Sequence, residues 1–437
     1  MSAIDLARYR AAVEAASLSL PRRGRVVEAT GLLVRASLDG ARVGELVRLR
    51  DPAGAELGAE VVGFRDGHAL LMPFGETRGL GVRSEVEPTG EPPTVSVGAA
   101  LVGRVLDGLG APIDGQPLPR GLEACPVVRA PPSPLSRRRV VEPFATGVRA
   151  LDGLLTVGEG QRMGLFAGSG VGKSTLLGQI ARASSADVNV VALIGERGRE
   201  VREFVEDCLG PEGLARSVVV VATSDAPPVV RLRAAHVATA IAEWFADSGR
   251  RVLFLLDSIT RFARAQREVG LAAGEPPARQ GYPPSVFAEL PRLVERTGCR
   301  GAGCITAFYT VLVAGGDMEE PIADEVRGLL DGHVVLDRAI AARGRWPAID
   351  VTASLSRLMP ALVSREHASW AARIRELVAA HDRQRDVIAL GAYARGSDPL
   401  VDEAVERLPR IEAFLAQPPD VPSDPAATLE QLRGVLA

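Results

Sequence analysis

The chain has very little lysine, few aromatic residues and few cysteines. One lysine stands against 50 arginines in 437 residues, and aromatic residues make up 4% of the chain. Four cysteines are too few and too scattered for a disulfide framework, which predicts reduced thiols, and the spacing of Cys299 and Cys304 does not suit a metal knuckle. The net charge of −3 excludes a global attraction to nucleic acid or to an acidic membrane. No apolar run reaches the length of a membrane span, so we expect a cytoplasmic protein.

The overall composition is that of a folded protein with more than one domain. The chain is 46% hydrophobic and 24% charged, which allows a sizeable buried core and excludes a disordered or collagen-like class. Its length fits two or three domains.

The first third of the chain contains three kinds of pattern. Residues 1–21 are predicted to form a weakly amphipathic helical arm that ends at Pro21. Residues 22–95 contain short β-like runs separated by turn signals, which indicate a small barrel or sandwich. Residues 96–150 are rich in proline and glycine and are typical of a long connection.

The middle of the chain alternates apolar strands with helical patterns, which indicates a parallel sheet covered on both faces. After about residue 365 the pattern is helical. The candidate strands are Met163–Phe166, Val188–Ile194, Val218–Ala222, Val252–Leu256, Cys304–Phe308 and Val334–Leu336, and the late helices are Trp370–Arg383, Leu400–Leu415 and Thr428–Leu436.

The single lysine lies in a glycine-rich segment between a strand and a helix, which is the context of a P-loop. Glycines let backbone N–H groups turn towards phosphate oxygens at a helix N-terminus. A compact ammonium fits among these oxygens where a planar guanidinium would not. The hydroxyl of Ser174 is expected to bind Mg²⁺. The predicted nucleotide-binding residues are Gly168, Ser169, Gly170, Val171, Gly172, Lys173, Ser174 and Thr175.

Two further strands end in carboxylates. Asp257 follows the apolar strand 252–256, as in a Walker B motif, and is expected to reach the Mg²⁺ shell, through a water molecule. Glu196 and Arg197 follow the strand 188–194, and Glu196 could orient the attacking water of a hydrolysis reaction. The alternative for this pair is an N-cap and first-turn ion pair on the following helix.

Two arginines are candidates for contact with the terminal phosphate. Arg357 is a candidate arginine finger, although a surface ion pair is the alternative in so arginine-rich a chain. Arg261 is expected on a helix facing the γ-phosphate, or else as an i,i+4 partner of Asp257.

Seven segments, in order, resemble the type III secretion ATPases of flagella and injectisomes, which are relatives of the catalytic subunits of rotary ATP synthases. The similarity covers the chain from about residue 22. Rotary subunits differ at the segments TAFYTVLV and LDGHVVL, so the export branch fits better. The seven segments are AGSGVGKST, GERGREVREF, LLDSITRFARAQREVGLAAGEPP, GYPPSVFAELPRLVERTG, TAFYTVLVAGGDMEEPIADEVRGLLDGHVVLDR, ASLSRLMP and GAYARGSDPLVDEAV.

This resemblance implies an α/β fold with three parts and an N-terminal arm. The first part would be a small β-barrel over 22–95. The second would be a RecA-like P-loop ATPase domain with a mostly parallel sheet over 96–365, a range that includes the leading linker. The third would be a C-terminal helical domain over 366–437. The chains would assemble as a homohexamer.

The resemblance also implies roles for individual residues. Lys173 and Ser174 match the phosphate and Mg²⁺ residues, Glu196 the catalytic carboxylate, Asp257 the Walker B acid and Arg357 the finger that enters a neighbour's site. Arg197 matches the arginine that adjoins the catalytic carboxylate, and the cofactors would be ATP and Mg²⁺.

The implied function is a motor that couples ATP hydrolysis to chaperone release, unfolding and export of proteins. The arm over 1–21 would bind a stator-like regulator, and the ring would meet a central stalk protein, export chaperones and unfolded substrates at the inner-membrane export gate, as a cytoplasmic, peripherally associated protein. No nucleic acid partner is expected.

Two positions depart from the family pattern. Only Asp317 remains of the acidic run that usually follows TVLV, and the aromatic that stacks on adenine in rotary relatives aligns with Ala368, which predicts loose base selectivity.

Three other functions are compatible with a P-loop chain of this kind. A catalytic subunit of a rotary proton-translocating ATPase shares most motifs. A hexameric RNA translocase would need a basic, aromatic-rich barrel, whereas residues 22–95 offer only Phe64 and Phe74 and no lysine. A nucleotide-binding subunit without activity would not need a carboxylate at Glu196.

Overall fold

The computed structural model describes residues 22–437. The chain divides between Pro92 and Pro93 into two compact units. The helical arm predicted over residues 1–21 lies outside the described residues.

The first unit is a closed six-stranded barrel with the strand order β1-β2-β5-β4-β3-β6. Alternate residues of these strands, such as Val34, Ala36, Val47 and Leu49, point inward and are buried. Closure leaves no free strand edge. Because side chains alternate between the two faces of each strand, the barrel can be apolar inside and polar outside. The predicted small β-domain is therefore confirmed as a barrel. Its strands are β1 (Gly24–Thr30), β2 (Leu33–Ser37), β3 (Leu46–Arg50), β4 (Glu56–Arg65), β5 (His68–Pro73) and β6 (Glu85–Pro88).

The second unit is built around a nine-stranded sheet in which β12, β13, β14, β15, β17 and β18 run parallel and β19 pairs antiparallel with β18. Every residue of the strand Val188–Glu196 is buried, as expected of a strand covered on both faces. The predicted parallel sheet is confirmed. The strands are β7 (Thr94–Val97), β8 (Val105–Asp107), β9 (Glu123–Pro126), β10 (Pro143–Phe144), β11 (Val157–Gly158), β12 (Arg162–Ala167), β13 (Val188–Glu196), β14 (Ser217–Thr223), β15 (Arg251–Asp257), β16 (Gly298–Arg300), β17 (Gly303–Leu312), β18 (Gly332–Leu336) and β19 (Ile349–Ser356).

The segment 96–150 is more than the connection that its composition predicted. Within it, β8 joins the large sheet as the parallel neighbour of β14, and β9 pairs with β7. Strands of three or four residues are too short to show a period among so many prolines and glycines.

Helices cover both faces of the sheet and form the C-terminal part of the same unit. The three late helices were predicted correctly but are longer than their periodic cores. A π-helical turn over Phe204–Leu209 packs on the helix after the P-loop. The α-helices are α1 (Arg149–Leu154), α2 (Lys173–Ala183), α3 (Gly198–Glu203), α4 (Gly210–Leu214), α5 (Pro228–Asp247), α6 (Ile259–Ala273), α7 (Pro284–Val294), α8 (Pro321–Leu329), α9 (Arg338–Ala342), α10 (Met359–Leu362), α11 (Arg365–Ala389), α12 (Pro399–Leu415) and α13 (Pro425–Leu436).

The prediction that all cysteines are reduced thiols is wrong for one pair. Cys299 and Cys304 face each other across the β16–β17 hairpin and form a disulfide, while Cys125 and Cys208 are free. The tight turn between the two strands brings residues five apart in sequence into direct register, which their spacing alone did not indicate.

Within residues 22–437, none of the helices combines the length and the apolar character needed to cross a bilayer.

Candidate active site

The predicted P-loop connects the end of β12 to the start of α2. Gly170 and Gly172 have φ angles of 78° and 79°, which favour glycine because a side chain is strained there. A Cβ atom on Gly172 would also lie 2.6 Å from the ring of Trp346. The loop can therefore turn its backbone N–H groups inward only with glycine at these two positions.

A cavity of about 500 Å³ opens at the carboxyl ends of the parallel strands, in front of the P-loop. Of the predicted nucleotide-binding residues, all but Val171 line this cavity; Val171 is buried beneath the loop. Asp257, Glu196, Arg197 and Arg261 line it as well. The fold thus brings together residues that are far apart in the sequence, because β12, β13 and β15 end at the same edge of the sheet.

Lys173 and Asp257 form an ion pair at the base of the cavity. Asp257 is 2% exposed, and the hydroxyl of Thr310 donates a hydrogen bond of 2.7 Å to the same carboxylate oxygen, Oδ1. The ammonium therefore contacts the carboxylate that the sequence assigns to the Mg²⁺ shell.

Glu196 lies between two cations. Its Oε1 is 3.5 Å from Lys173 Nζ, and its Oε2 accepts a hydrogen bond of 3.1 Å from Arg261. Burial raises the pKa of Glu196, and the nearby carboxylate of Asp257 raises it further, whereas Lys173 and Arg261 lower it. A carboxyl group placed in this way gains basicity while it stays within reach of the cavity.

Arg261 was predicted to face the γ-phosphate or to pair with Asp257. The structure places it in the cavity, but its ion-pair partner is Glu196 rather than Asp257. The N-terminal turn of α6, capped by the side chain of Ser258, fixes this position.

Arg197 takes the alternative that the sequence left open. It is the N-cap residue of α3, and its guanidinium donates a hydrogen bond of 2.6 Å to Glu200 in the first turn. Glu200 also shares a hydrogen bond with Glu196, and this bond, ahead of the contact with Arg197, lowers the pKa of Glu200.

Arg357 lies away from the cavity of its own chain. Arg357 follows Ser356, the last residue of β19, which pairs with Gly332 at the start of β18. The other end of β18 lies beside Ala167, at the start of the P-loop. Its backbone N–H donates to the carbonyl of Asp331, and its exposed guanidinium donates 3.3 Å to the carbonyl of Arg327. Arg357 therefore lies at the end of the sheet where the parallel strands begin, and Lys173 lies at the end where they finish.

A second cavity, of about 650 Å³, adjoins the P-loop on the side of α2. It is mostly apolar and is lined by Trp346 and Pro347, by Gln179 of α2 and by Gln417 and Pro418 after α12. The residue aligned with the stacking aromatic of rotary relatives, Ala368, lies in the first turn of α11.

Sequence reasoning missed several residues that line these cavities or hold their side chains. Arg264 could have been found from its spacing of three residues after Arg261 on one helix. Glu200 could have been found from the i,i+3 spacing with Arg197. For Thr310 and Trp346 no local signal exists, because Thr310 is placed by the pairing of β17 with β15 and Trp346 lies in the loop before β19, far along the chain from the P-loop.

The donor atoms present fit Mg²⁺. The Ser174 hydroxyl and the Asp257 carboxylate line one cavity, and hard oxygen ligands of this kind suit the ion when substrate phosphates supply the others.

Comparison with known families agrees with this arrangement. Residues 26–90 match the beta-barrel domain of the ATP synthase alpha/beta family, and residues 147–356 match the nucleotide-binding domain of that family. Residues 363–434 match the C-terminal domain of the T3SS EscN ATPase. The C-terminal match agrees with the export branch that the sequence favoured.

Whole-chain relatives belong to both export systems. The flagellum-specific ATP synthase of Bacillus subtilis strain 168 is 52% identical over 95% of this chain and 96% of its own. The type 3 secretion system ATPase of Xanthomonas euvesicatoria is 54% identical over 97% of this chain and 96% of its own.

A solved structure has the same fold. The assembled ATPase EscN from the type III secretion system of enteropathogenic E. coli superposes with a TM-score of 0.90 at 44% identity, over 95% of this chain and 100% of that one. EscN has also been solved in complex with its central stalk EscO. From the barrel, the nucleotide-binding core, the C-terminal domain and these relatives, the chain belongs to the family of type III secretion and flagellum-specific ATPases.

Proposed function

We propose that this chain is the ATP-hydrolysing motor of a type III protein export apparatus and that it couples Mg²⁺-ATP hydrolysis to chaperone release, unfolding and export of proteins. The observation that carries the proposal is Glu196, a buried carboxylate held by Lys173 and Arg261 in the P-loop cavity. A subunit that only bound nucleotide would not need such a group there.

In this proposal the P-loop backbone and Lys173 bind the β- and γ-phosphates, and Ser174 and Asp257 would hold Mg²⁺. When bound, the metal would supply positive charge to neutralise the phosphates. Glu196 then orients the attacking water and accepts its proton.

The adenine is proposed to lie in the second cavity. The indole of Trp346 contacts the P-loop at Gly172, and Pro418 and Gln417 line the same cavity. A large aromatic surface beside the phosphate site is suited to stack on a base. The loose base selectivity predicted from Ala368 stays a prediction.

The proposed assembly is a homohexamer in which Arg357 of each chain completes the cavity of the next. Its exposure and its distance in the fold from Lys173 support this, because an arginine at the far edge of the sheet cannot reach its own cavity. The known assembled form of EscN, and its complex with a central stalk, support a ring that meets a stalk protein.

The remaining partners follow from the family. The arm over residues 1–21 would bind a stator-like regulator, and the ring would receive export chaperones and unfolded substrates at the inner-membrane export gate. These contacts are proposed on the likeness alone.

The test is Mg²⁺-ATP hydrolysis per chain, measured against protein concentration for the wild type, Glu196→Gln and Arg357→Ala. We expect specific activity to rise with concentration in the wild type and to fall by about 10³-fold or more in both variants. Arg383→Ala, which removes an exposed arginine on α11, is the matched control and should behave like the wild type. A flat, background activity with nucleotide still bound would contradict the motor and leave a binding subunit.

A further inference from the structure

The P-loop cavity contains one more basic side chain than its carboxylates can pair. Four cations line it, and three of them have carboxylate partners within it. Lys173 contacts Asp257 and Glu196, Arg261 contacts Glu196, and Arg197 contacts Glu200.

The fourth cation is Arg264, one turn after Arg261 on α6. It is exposed and lines the cavity, and within residues 22–437 no carboxylate lies at ion-pair distance from it. The next arginine of the helix, Arg267, serves a different purpose, because its guanidinium carbon lies 5.4 Å from the centre of the Tyr282 ring. Arg264 is thus a guanidinium in the cavity that is free to bind an incoming anion.

We propose that Arg264 binds the terminal phosphate of the nucleotide and makes the cavity prefer a triphosphate to a diphosphate. The inference rests on the proposed hydrolysis, which puts the γ-phosphate beside Glu196. Arg261 and Arg264 come to this wall on successive turns of one helix. Arg261 pairs with Glu196, whereas Arg264 has no carboxylate partner within residues 22–437, so Arg264 can bind the phosphate without giving up an ion pair.

The position of Arg264 explains why it should distinguish the two nucleotides. The P-loop and Lys173 bind the β-phosphate, which ATP and ADP share, as well as the γ-phosphate, so part of their contribution is the same for both nucleotides. A guanidinium on the wall of Glu196 meets only the phosphate that ADP lacks. One charge-assisted hydrogen bond in a site partly open to water changes affinity by about tenfold.

The experiment is calorimetric titration of the full-length protein, in Mg²⁺ buffer, with the non-hydrolysable β,γ-imido analogue of ATP and with ADP. The proteins are the wild type, Arg264→Gln, Arg264→Lys and Arg267→Gln. We expect Arg264→Gln to bind the imido triphosphate about tenfold more weakly while its ADP affinity stays within about twofold. Arg264→Lys should recover most of the loss, and Arg267→Gln, with the same charge change on the same helix, should lose none.

Three results would overturn the assignment. Equal weakening for both nucleotides would mean that the charge of Arg264 attracts any anion in the cavity without contacting the terminal phosphate. Unchanged binding of both would mean that no phosphate reaches Arg264. If sedimentation velocity showed a loss of assembly with the triphosphate preference intact, Arg264 would instead contact a neighbouring chain. Since binding is measured without turnover, a failure of the hydrolysis test is distinguishable from a failure here.

Discussion

Lys173 and Arg357 lie at opposite edges of the nine-stranded sheet of one chain. Lys173 begins the helix after β12, at the carboxyl ends of the parallel strands, and Arg357 follows the antiparallel strand β19, beside the amino end of β18. The proposed catalytic residues of one chain therefore do not all meet at its own cavity. Only a second copy can place an arginine of this position at a P-loop cavity.

This arrangement predicts that two inactive variants complement each other. Glu196→Gln and Arg357→Ala should each lose about 10³-fold in activity. When the two are mixed and reassembled, some interfaces combine an intact Glu196 from one chain with an intact Arg357 from the next, so activity should return to a sizeable fraction of the wild type. Steady-state hydrolysis at a fixed total concentration measures this.

The control for complementation is each variant mixed with itself under the same conditions, which should stay inactive. A double variant carrying both changes should fail to rescue either single variant. Mixtures that remain as inactive as their components would contradict an arginine acting between chains.

The pH dependence of activity should depend on Arg261. Burial raises the pKa of Glu196, and Arg261 acts against this by stabilising the carboxylate. Since Glu196 must be ionised to accept a proton, kcat/KM should fall as the pH drops through the pKa of the free enzyme. Arg261→Gln removes the stabilising cation, so the acid limb should move to higher pH, while Arg261→Lys should leave it near the wild-type position. An acid limb that is the same in all three proteins would contradict the coupling.

Trp346 should contribute to binding of the base but not of the phosphates. Trp346→Ala is expected to weaken adenine nucleotide binding by about tenfold, the scale of one base–aromatic stack, and Trp346→Phe should retain most of the affinity. Calorimetry with ADP measures the loss. Inorganic tripolyphosphate is the matched ligand, because it fills the P-loop cavity alone and should bind all three proteins equally. Equal losses for tripolyphosphate would mean that Trp346 acts by supporting Gly172.

The cysteines should fall into two classes. Alkylation of the unfolded, unreduced protein is expected to modify Cys125 and Cys208 only, and prior reduction should make all four reactive. Mass spectrometry counts the added groups. In Cys299→Ser the freed Cys304 should raise the unreduced count to three. Four modified cysteines in the unreduced wild type would show that the pair is open in solution.

The fold was largely predictable because its elements are long and periodic. The strand Val188–Glu196 is apolar throughout, and the helix Arg365–Ala389 repeats its apolar residues over many turns. The barrel was recognisable from turn signals, although not as distinct from a sandwich. What periodicity could not supply was β8, a three-residue strand, and the pairing of Cys299 with Cys304, which depends on the register of a hairpin.

The candidate site was predictable where the chemistry is local in sequence. Lys173 is set by its glycines, and Glu196 and Asp257 each follow an apolar strand. Trp346 could not be found in this way, since it reaches Gly172 only through the fold. The partner of Arg261 was also unpredictable, because the choice between Asp257 and Glu196 is made by the order of β15 and β13 in the sheet.

Asp152 should make the stability of the protein depend on pH in an unusual direction. Its carboxylate is 8% exposed and accepts hydrogen bonds from the backbone and hydroxyl of Thr146, at 2.9 and 2.7 Å, and from the N–H of Gly147, at 3.0 Å. Burial outweighs these bonds and raises the pKa of Asp152 to about 6. The folded state then holds the proton more tightly than the unfolded state. The contribution of Asp152 to the free energy of unfolding therefore falls, by about 3 kcal/mol in all, as the pH rises from about 4 to about 6.

Asp152→Asn removes this titration, although the amide N–H₂ of the asparagine must then face one of the N–H or O–H groups that donate to the carboxylate in the wild type. The variant should therefore be less stable than the wild type at pH 4.5, and the gap in melting temperature should narrow, or reverse, by pH 7, because only the wild type acquires a buried charge over that range. Scanning calorimetry at intervals of pH measures the gap. Asp386→Asn, an exposed change on α11, should show a constant difference close to zero. A gap for Asp152→Asn that stays constant from pH 4.5 to 7 would mean that Asp152 is already ionised at the lower pH, with its hydrogen bonds dominating over burial.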